Sequence, residues 1–230
     1  MEEKSIEDML SELGVKFDSS KNRNVITVDD VLADKQFDKH EAIYSKLTPD
    51  NSVFIPEKYK DRNVFEALKW KNPESSIYSI MYLHYFGHLF VSGDLGEAVY
   101  QWSENATLEW ISTLPISYFA SKCQASEEGR GYKIWDAETA KEHIIDYLEN
   151  DDYDEDKNKK QVLSNIVDDN IFYHLDSERV WCSWLDEYGD DYFGSDCWEY
   201  GDIGMVTAPR CVMHLAGLKA AFSWLENNKK

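Results

Sequence analysis

Two residue pairs stand at spacings that can hold a metal or build a dyad: His84 and His88, four apart, and Cys211 and His214, three apart. On a helix such spacing brings both side chains to one ligand position. His84, however, falls in a stretch that reads as a strand, where positions four apart lie about 13 Å from each other along the chain. Buried structural Cys and His account for both pairs as simply. His40-Glu41-Ala42-Ile43-Tyr44 begins like a zinc-hydrolase helix but ends in Tyr where the second His ligand belongs. Asp152, Asp154 and Asp156 match the first three ligand positions of a calcium loop. Lys157 then stands where the turn needs glycine, and Leu163 where the bidentate glutamate belongs. No metal ligand and no cofactor is assigned.

Nucleophile and phosphate motifs are equally incomplete. The chain has no Gly-x-Ser-x-Gly elbow and no Gly-Lys-Ser/Thr phosphate loop. Gly129-Arg130-Gly131 opens like a dinucleotide fingerprint, but Ile134 replaces the third glycine, so a turn is the simpler reading. No catalytic residue is assigned. The best enzymatic or small-molecule alternative gathers Tyr100, Trp102, His84 and Cys211 between a central sheet and a C-terminal helix.

The segment from Val180 to Pro209 stands apart. It holds no Lys or Arg, yet carries Asp186, Glu187, Asp190, Asp191, Asp196, Glu199 and Asp202. Trp181, Trp184, Tyr188, Tyr192, Phe193, Trp198 and Tyr200 interleave with these acids. Gly189, Gly194, Gly201 and Gly204 are expected to break any long helix, which predicts a loop-rich surface. One reading is a tryptophan core beneath a solvated acidic face. The other is a recognition surface, because aromatic anchors ringed by charge make interface hot spots and one-sign charge steers a basic partner. The expected partner contacts are the seven carboxylates with Trp184, Tyr192 and Trp198.

The balance of the whole chain supports that second reading. Its 24 Lys and Arg against 44 Asp and Glu leave a net charge of −20 over 230 residues. Phosphate backbones repel such a surface, so no direct nucleic-acid binding is expected. The acidic N-terminus lacks a signal-peptide layout, and the most apolar run, Ile80 to Val91, is far shorter than the ~20 residues a bilayer requires. Cys123, Cys182, Cys197 and Cys211 form no Cys-x-x-Cys pair. The expectation is a soluble cytoplasmic protein with reduced thiols and no membrane partner.

The elements that must position these residues read as an α+β chain. Ile6, Met9, Leu10 and Leu13 predict a short amphipathic helix over 5–13, and Val25 to Val28 a strand. Helices are expected around 38–47 and in a run ending near Trp70. Ile77 to Phe86, Leu89-Phe90-Val91 and Ala98 to Trp102, joined by tight turns, predict a small antiparallel meander over about 77–102. Short helices follow at 108–111 and 116–123, then one capped by Asp136 running to about Leu148. A charged insert from Asp151 to Lys160 precedes helical patterns at 160–173 and 177–188. Pro209 opens a C-terminal amphipathic helix over 210–227, with Cys211, Leu215, Leu218, Phe222 and Leu225 on one stripe. Strand-then-helix grouping with no clear linker predicts a single α+β domain over 1–230, with a possible N-terminal subregion over 1–70.

A resemblance adds a setting. The runs Asn72-Pro73-Glu74-Ser75-Ser76-Ile77-Tyr78-Ser79-Ile80, Leu89 to Trp102 through Ser92-Gly93-Asp94-Leu95-Gly96, Leu108-Glu109-Trp110-Ile111 and Ser117 to Cys123 carry it. Over about a third of its length the chain resembles a loose group of small accessory proteins encoded by bacteriophages and prophages. The resemblance implies a mobile-element origin and no catalytic residues. It also implies an inhibitor acting in the host cytoplasm on a basic host protein. Such a partner is a nuclease or defence complex, met in the manner of anti-restriction, anti-CRISPR or DNA-mimic proteins.

Overall fold

The computed structural model describes residues 25–47, 65–127, 131–150 and 171–228. In chain order its elements begin with helix α1 (Val28–Ala33), strands β1 (Glu41–Leu47), β2 (Phe65–Lys71), β3 (Ile80–Tyr85), β4 (His88–Gly93) and β5 (Ala98–Gln101). Helices α2 (Leu108–Ser112) and α3 (Ile116–Ala120), strands β6 (Cys123–Ser126) and β7 (Lys133–Trp135), and helix α4 (Ala137–Asn150) follow. Then come helices α5 (Ile171–His174) and α6 (Glu178–Phe193), a 3-10 segment (Cys197–Asp202), strand β8 (Met205–Thr207) and helix α7 (Pro209–Asn227). The expected helix at 5–13, the acidic insert with its calcium-like aspartates, and most of 160–173 lie outside the described residues.

The chain divides into two compact units, one of Val25–Lys133 with Thr207–Lys230 and one containing Ile134–Val206. In the first, β1 to β6 form one antiparallel sheet in sequence order, with helices beside it, so the fold is α+β. The meander expected over 77–102 is its centre. Strands β3 and β4 meet in a two-residue turn, Phe86-Gly87, with φ of 52° and 77°, the left-handed pair that matches hairpin twist.

Three local expectations are corrected here. Residues 38–47 and the run ending at Trp70 form β1 and β2 rather than helices. Their Lys, Glu, Ala and Leu favour helix in isolation, but pairing and one-sided burial of Ala42, Glu66, Leu68 and Trp70 override that preference. Val25 to Thr27 is not a strand. Thr27 instead caps α1: its hydroxyl accepts from the Asp30 N–H at 3.1 Å, and the Asp30 carboxylate accepts from the Thr27 N–H at 2.9 Å.

Helix α7 begins at Pro209, as its position predicts. Burial spreads beyond the predicted stripe: Cys211, Val212 and every residue from His214 to Leu218 are buried. Both flanks are occupied, because α7 packs against β1 and β2 as well as against α1, α2 and α3. Among the described residues no helix is long and apolar enough to cross a membrane.

The second unit centres on Ala140, Ile144, Ile145, Ile171, Leu175, Trp181, Trp184 and Leu185. Asp136 caps α4 as expected, accepting from the Thr139 N–H at 2.8 Å. Helix α6 runs sixteen residues straight through Gly189, contrary to the expectation that this glycine breaks it. Gly189 is there for close approach: a Cβ would lie 2.9 Å from both Cβ and Sγ of Cys197. Gly194, at φ 78°, does end the helix.

Candidate functional site

The seven carboxylates expected to meet a partner are all exposed. Asp186, Glu187, Asp190 and Asp191 ride on α6, where a 100° step per residue spreads them over an arc of about 140°. Asp196, Glu199 and Asp202 belong to the 3-10 segment and its N-cap. That segment lies along α6: Trp181 Nε1 donates to the Tyr200 carbonyl at 2.8 Å, and the Cys197 thiol to Asp190 Oδ1 at 3.4 Å. Two thiols report how the acids converge. Burial pushes Cys182 up, and Glu178, Asp186 and Asp202 push it further. At Cys197, desolvation, the bond to Asp190, and the Asp190 and Asp186 charges act in the same direction. Asp186 and Asp190 of the helix and Asp202 of the 3-10 segment thus gather around these two thiols.

The aromatic members separate into two roles. Trp184 is only 4% exposed and stacks on Trp181 with ring centroids 5.3 Å apart, so it is a core residue. Tyr192 is half-buried against Trp184, at 5.2 Å. Both were expected as partner contacts; their packing makes them supports for the acidic helix. Trp198, at 70% exposure, leaves its large ring on the surface. Beside the ridge a cleft of about 540 Å³ is lined by His174, Arg179, Ser183, Trp184, Glu187 and Tyr188. Arg179, one residue before the cation-free segment, sets a positive charge at its wall.

The other unit holds a buried polar row that sequence reading only partly anticipated. Strand register aligns Glu66, His84, Leu89, Tyr100 and Cys123 across the sheet on the helix-covered face. Glu66 accepts from the Tyr44 hydroxyl at 2.5 Å and the Leu108 N–H at 3.0 Å, and pairs with His84 Nδ1 at 3.1 Å. Burial alone raises this carboxyl, but the bonds from His84, Tyr44 and the Leu108 N–H outweigh it and hold it below its usual range. Further along, His214 Nε2 lies 3.1 Å from the Leu95 carbonyl, so it carries the proton and donates. Nδ1 is then the acceptor for the Tyr100 hydroxyl at 2.9 Å, and Cys211 Sγ lies 3.4 Å from that same hydroxyl. Burial pushes His214 down to about 4.

Of the four residues grouped as an alternative site, Tyr100, Trp102 and Cys211 do lie together. His84 pairs with Glu66 instead. All four are less than a tenth exposed; Tyr100, Cys211 and His84 Nδ1 are engaged with neighbouring polar groups, while His84 Nε2 and Trp102 Nε1 are buried without a hydrogen-bond partner. Glu66 and Tyr44 went unnoticed in the sequence, since one glutamate among 44 acids carries no mark of burial.

Of the two metal-spaced pairs, Cys211 and His214 meet at the Tyr100 hydroxyl, whereas His84 and His88 come apart. His84 faces the buried side of the sheet, while His88 is on the other strand of the hairpin and the opposite face, its Nδ1 3.2 Å from the Phe86 carbonyl. His40 to Tyr44 starts β1, not a helix. Among the described residues no group of three or more His, Cys, Asp or Glu is placed to hold a metal ion, and the four cysteines are free thiols. Comparison with known protein families, curated proteins and solved structures returned no match.

Proposed function

We propose that this chain is a phage-encoded acidic inhibitor that binds a basic host protein, a nuclease or other nucleic-acid-handling defence complex, through the ridge formed by α6 and the 3-10 segment. The observation that carries this reading is the exposure of all seven carboxylates from Asp186 to Asp202 on α6 and the 3-10 segment, with no Lys or Arg between Val180 and Pro209. Duplex DNA presents one charge per about 1.7 Å of axis, so seven carboxylates match the charge on roughly 12 Å of duplex. A groove built for phosphates meets here charges of the same sign, carried partly on a helix that packs on the stacked Trp181 and Trp184. Trp198 supplies the apolar anchor that charge alone lacks.

The test is inhibition of DNA cleavage by purified restriction and CRISPR nucleases with basic DNA grooves. The protein is expected to slow at least one of them, with excess duplex DNA competing for the same groove and added salt weakening inhibition. Inhibition that is unaffected by both salt and competing DNA would contradict the proposal.

A further inference from the structure

Among the described residues, helices cover one face of the sheet, where Leu68, Trp70, Ile80, Tyr82, Leu89, Val91 and Tyr100 are buried, whereas the opposite face presents exposed and half-buried side chains. Strand register carries one row straight across it, Ser45, Ala67, Leu83, Phe90, Val99 and Ala125. Ile43 and Met81 flank this row on one side, Leu47 and Tyr85 on the other. Ile43 is 57% exposed, Leu47 60%, Phe90 46% and Met81 40%, an apolar display that a solitary sheet face does not require.

Its charge is as unusual as its apolarity. In a chain with 44 carboxylates, the strand residues of this face include just one, Glu41, and it pairs across the strands with Lys71. Lys69 is the other charge. Glu97 and Glu127 stand only at its rim, beside Phe90, Val99 and Ala125, and Glu127 is paired with Arg210, so two copies, each at −20, can bring their strands together here with few carboxylates facing one another. Six strands about 4.8 Å apart and about six residues long give a footprint of roughly 25 by 20 Å. Two such faces, with side-chain relief, remove on the order of 1,000–1,500 Å² from water, which reaches the range of about 1,200–2,000 Å² for stable interfaces. An isologous contact needs only one self-complementary patch, and sheets stack face to face at about 10 Å.

We propose that this uncovered face is a homodimer interface, occupied by the same face of a second copy of the chain. The assignment is independent of the acidic ridge, which lies in the other unit. Its salt response is opposite, since salt screens the repulsion between two acidic copies and tightens the dimer.

Sedimentation velocity of the full chain tests this, over about 1 to 100 µM protein and at about 0.1 and 0.5 M salt. The expected species has twice the 26.8 kDa chain mass, with a dissociation constant about tenfold lower at the higher salt. Met81→Glu with Phe90→Glu should give a folded monomer, judged by circular dichroism, while Trp198→Glu leaves the dimer intact. A wild-type chain that stays monomeric throughout overturns the proposal without reference to any variant. A double variant that is folded and still dimeric would overturn it equally.

Discussion

His214 illustrates how a chemically promising residue becomes structural. Its three-residue spacing from Cys211 was legible in the sequence, but its partners Tyr100 and Leu95, more than a hundred residues earlier, were not. The shift of His214 to about 4 means that the folded state holds this imidazole neutral below the ordinary 6.5. The unfolded chain takes up a proton first as pH falls, so the stabilisation is complete above 6.5 and is lost between 6.5 and about 4. Integrated over that window it amounts to about 3 kcal/mol. His40, which burial also pushes down, adds in the same direction. Wild-type stability should therefore fall by about 2 kcal/mol or more from about pH 6.5 to about pH 5, and His214→Gln should flatten the decline. Denaturant titrations at both pH values check this, and equal slopes for the two proteins would refute it.

The same scale separates the two exposed-versus-buried tryptophans. Trp184→Ala is expected to cost about 3–5 kcal/mol, because it empties a stacked core position. Trp198→Ala should change stability by less than about 0.5 kcal/mol. It should weaken nuclease inhibition about tenfold, however, which separates the supporting ring from the contacting one. A stable Trp184→Ala variant would show the stacking to be dispensable.

At the scale of elements, periodicity sufficed where it was simple and failed where tertiary contacts decided. The meander, the α4 cap at Asp136 and the Pro209 start of α7 follow from alternation, an N-cap and an N1 proline. Strand β2 escaped because its inward positions are Glu66, Leu68 and Trp70, and a buried carboxylate disguises the alternation. In helix α6, Gly189 looks like a breaker by local pattern, yet the helix runs through it. Its reason is the Cys197 side chain pressed against it, a contact no local pattern announces. Gly189→Ala gains about 1 kcal/mol of helix propensity but must push Cys197 aside. We expect a net loss of about 1–2 kcal/mol, with the 3-10 segment displaced. A rise in the denaturation midpoint would show that the two elements are not in this contact.

For the whole molecule, composition announced an acidic surface, and the positions of its residues sort that charge. The carboxylates from Asp186 to Asp202 crowd one helix and its neighbouring segment, while the outward strand residues of the sheet carry only Glu41. Linear sequence showed the first as a run of acids and aromatics. It could not show the second, which depends on which side of each strand the helices cover. The central claim is that the acidic ridge is the binding surface. Exposed pairs contribute at most about 1 kcal/mol each, so the decisive change reverses several charges together. Asp190→Lys, Asp191→Lys, Asp196→Lys and Glu199→Lys in one chain should leave the fold intact, since all four side chains are exposed. The measurement is the affinity of this variant and of wild type for the nuclease that wild type inhibits. The account predicts a loss of at least about a hundredfold, or about 2.7 kcal/mol; a folded variant that binds as tightly as wild type would contradict it.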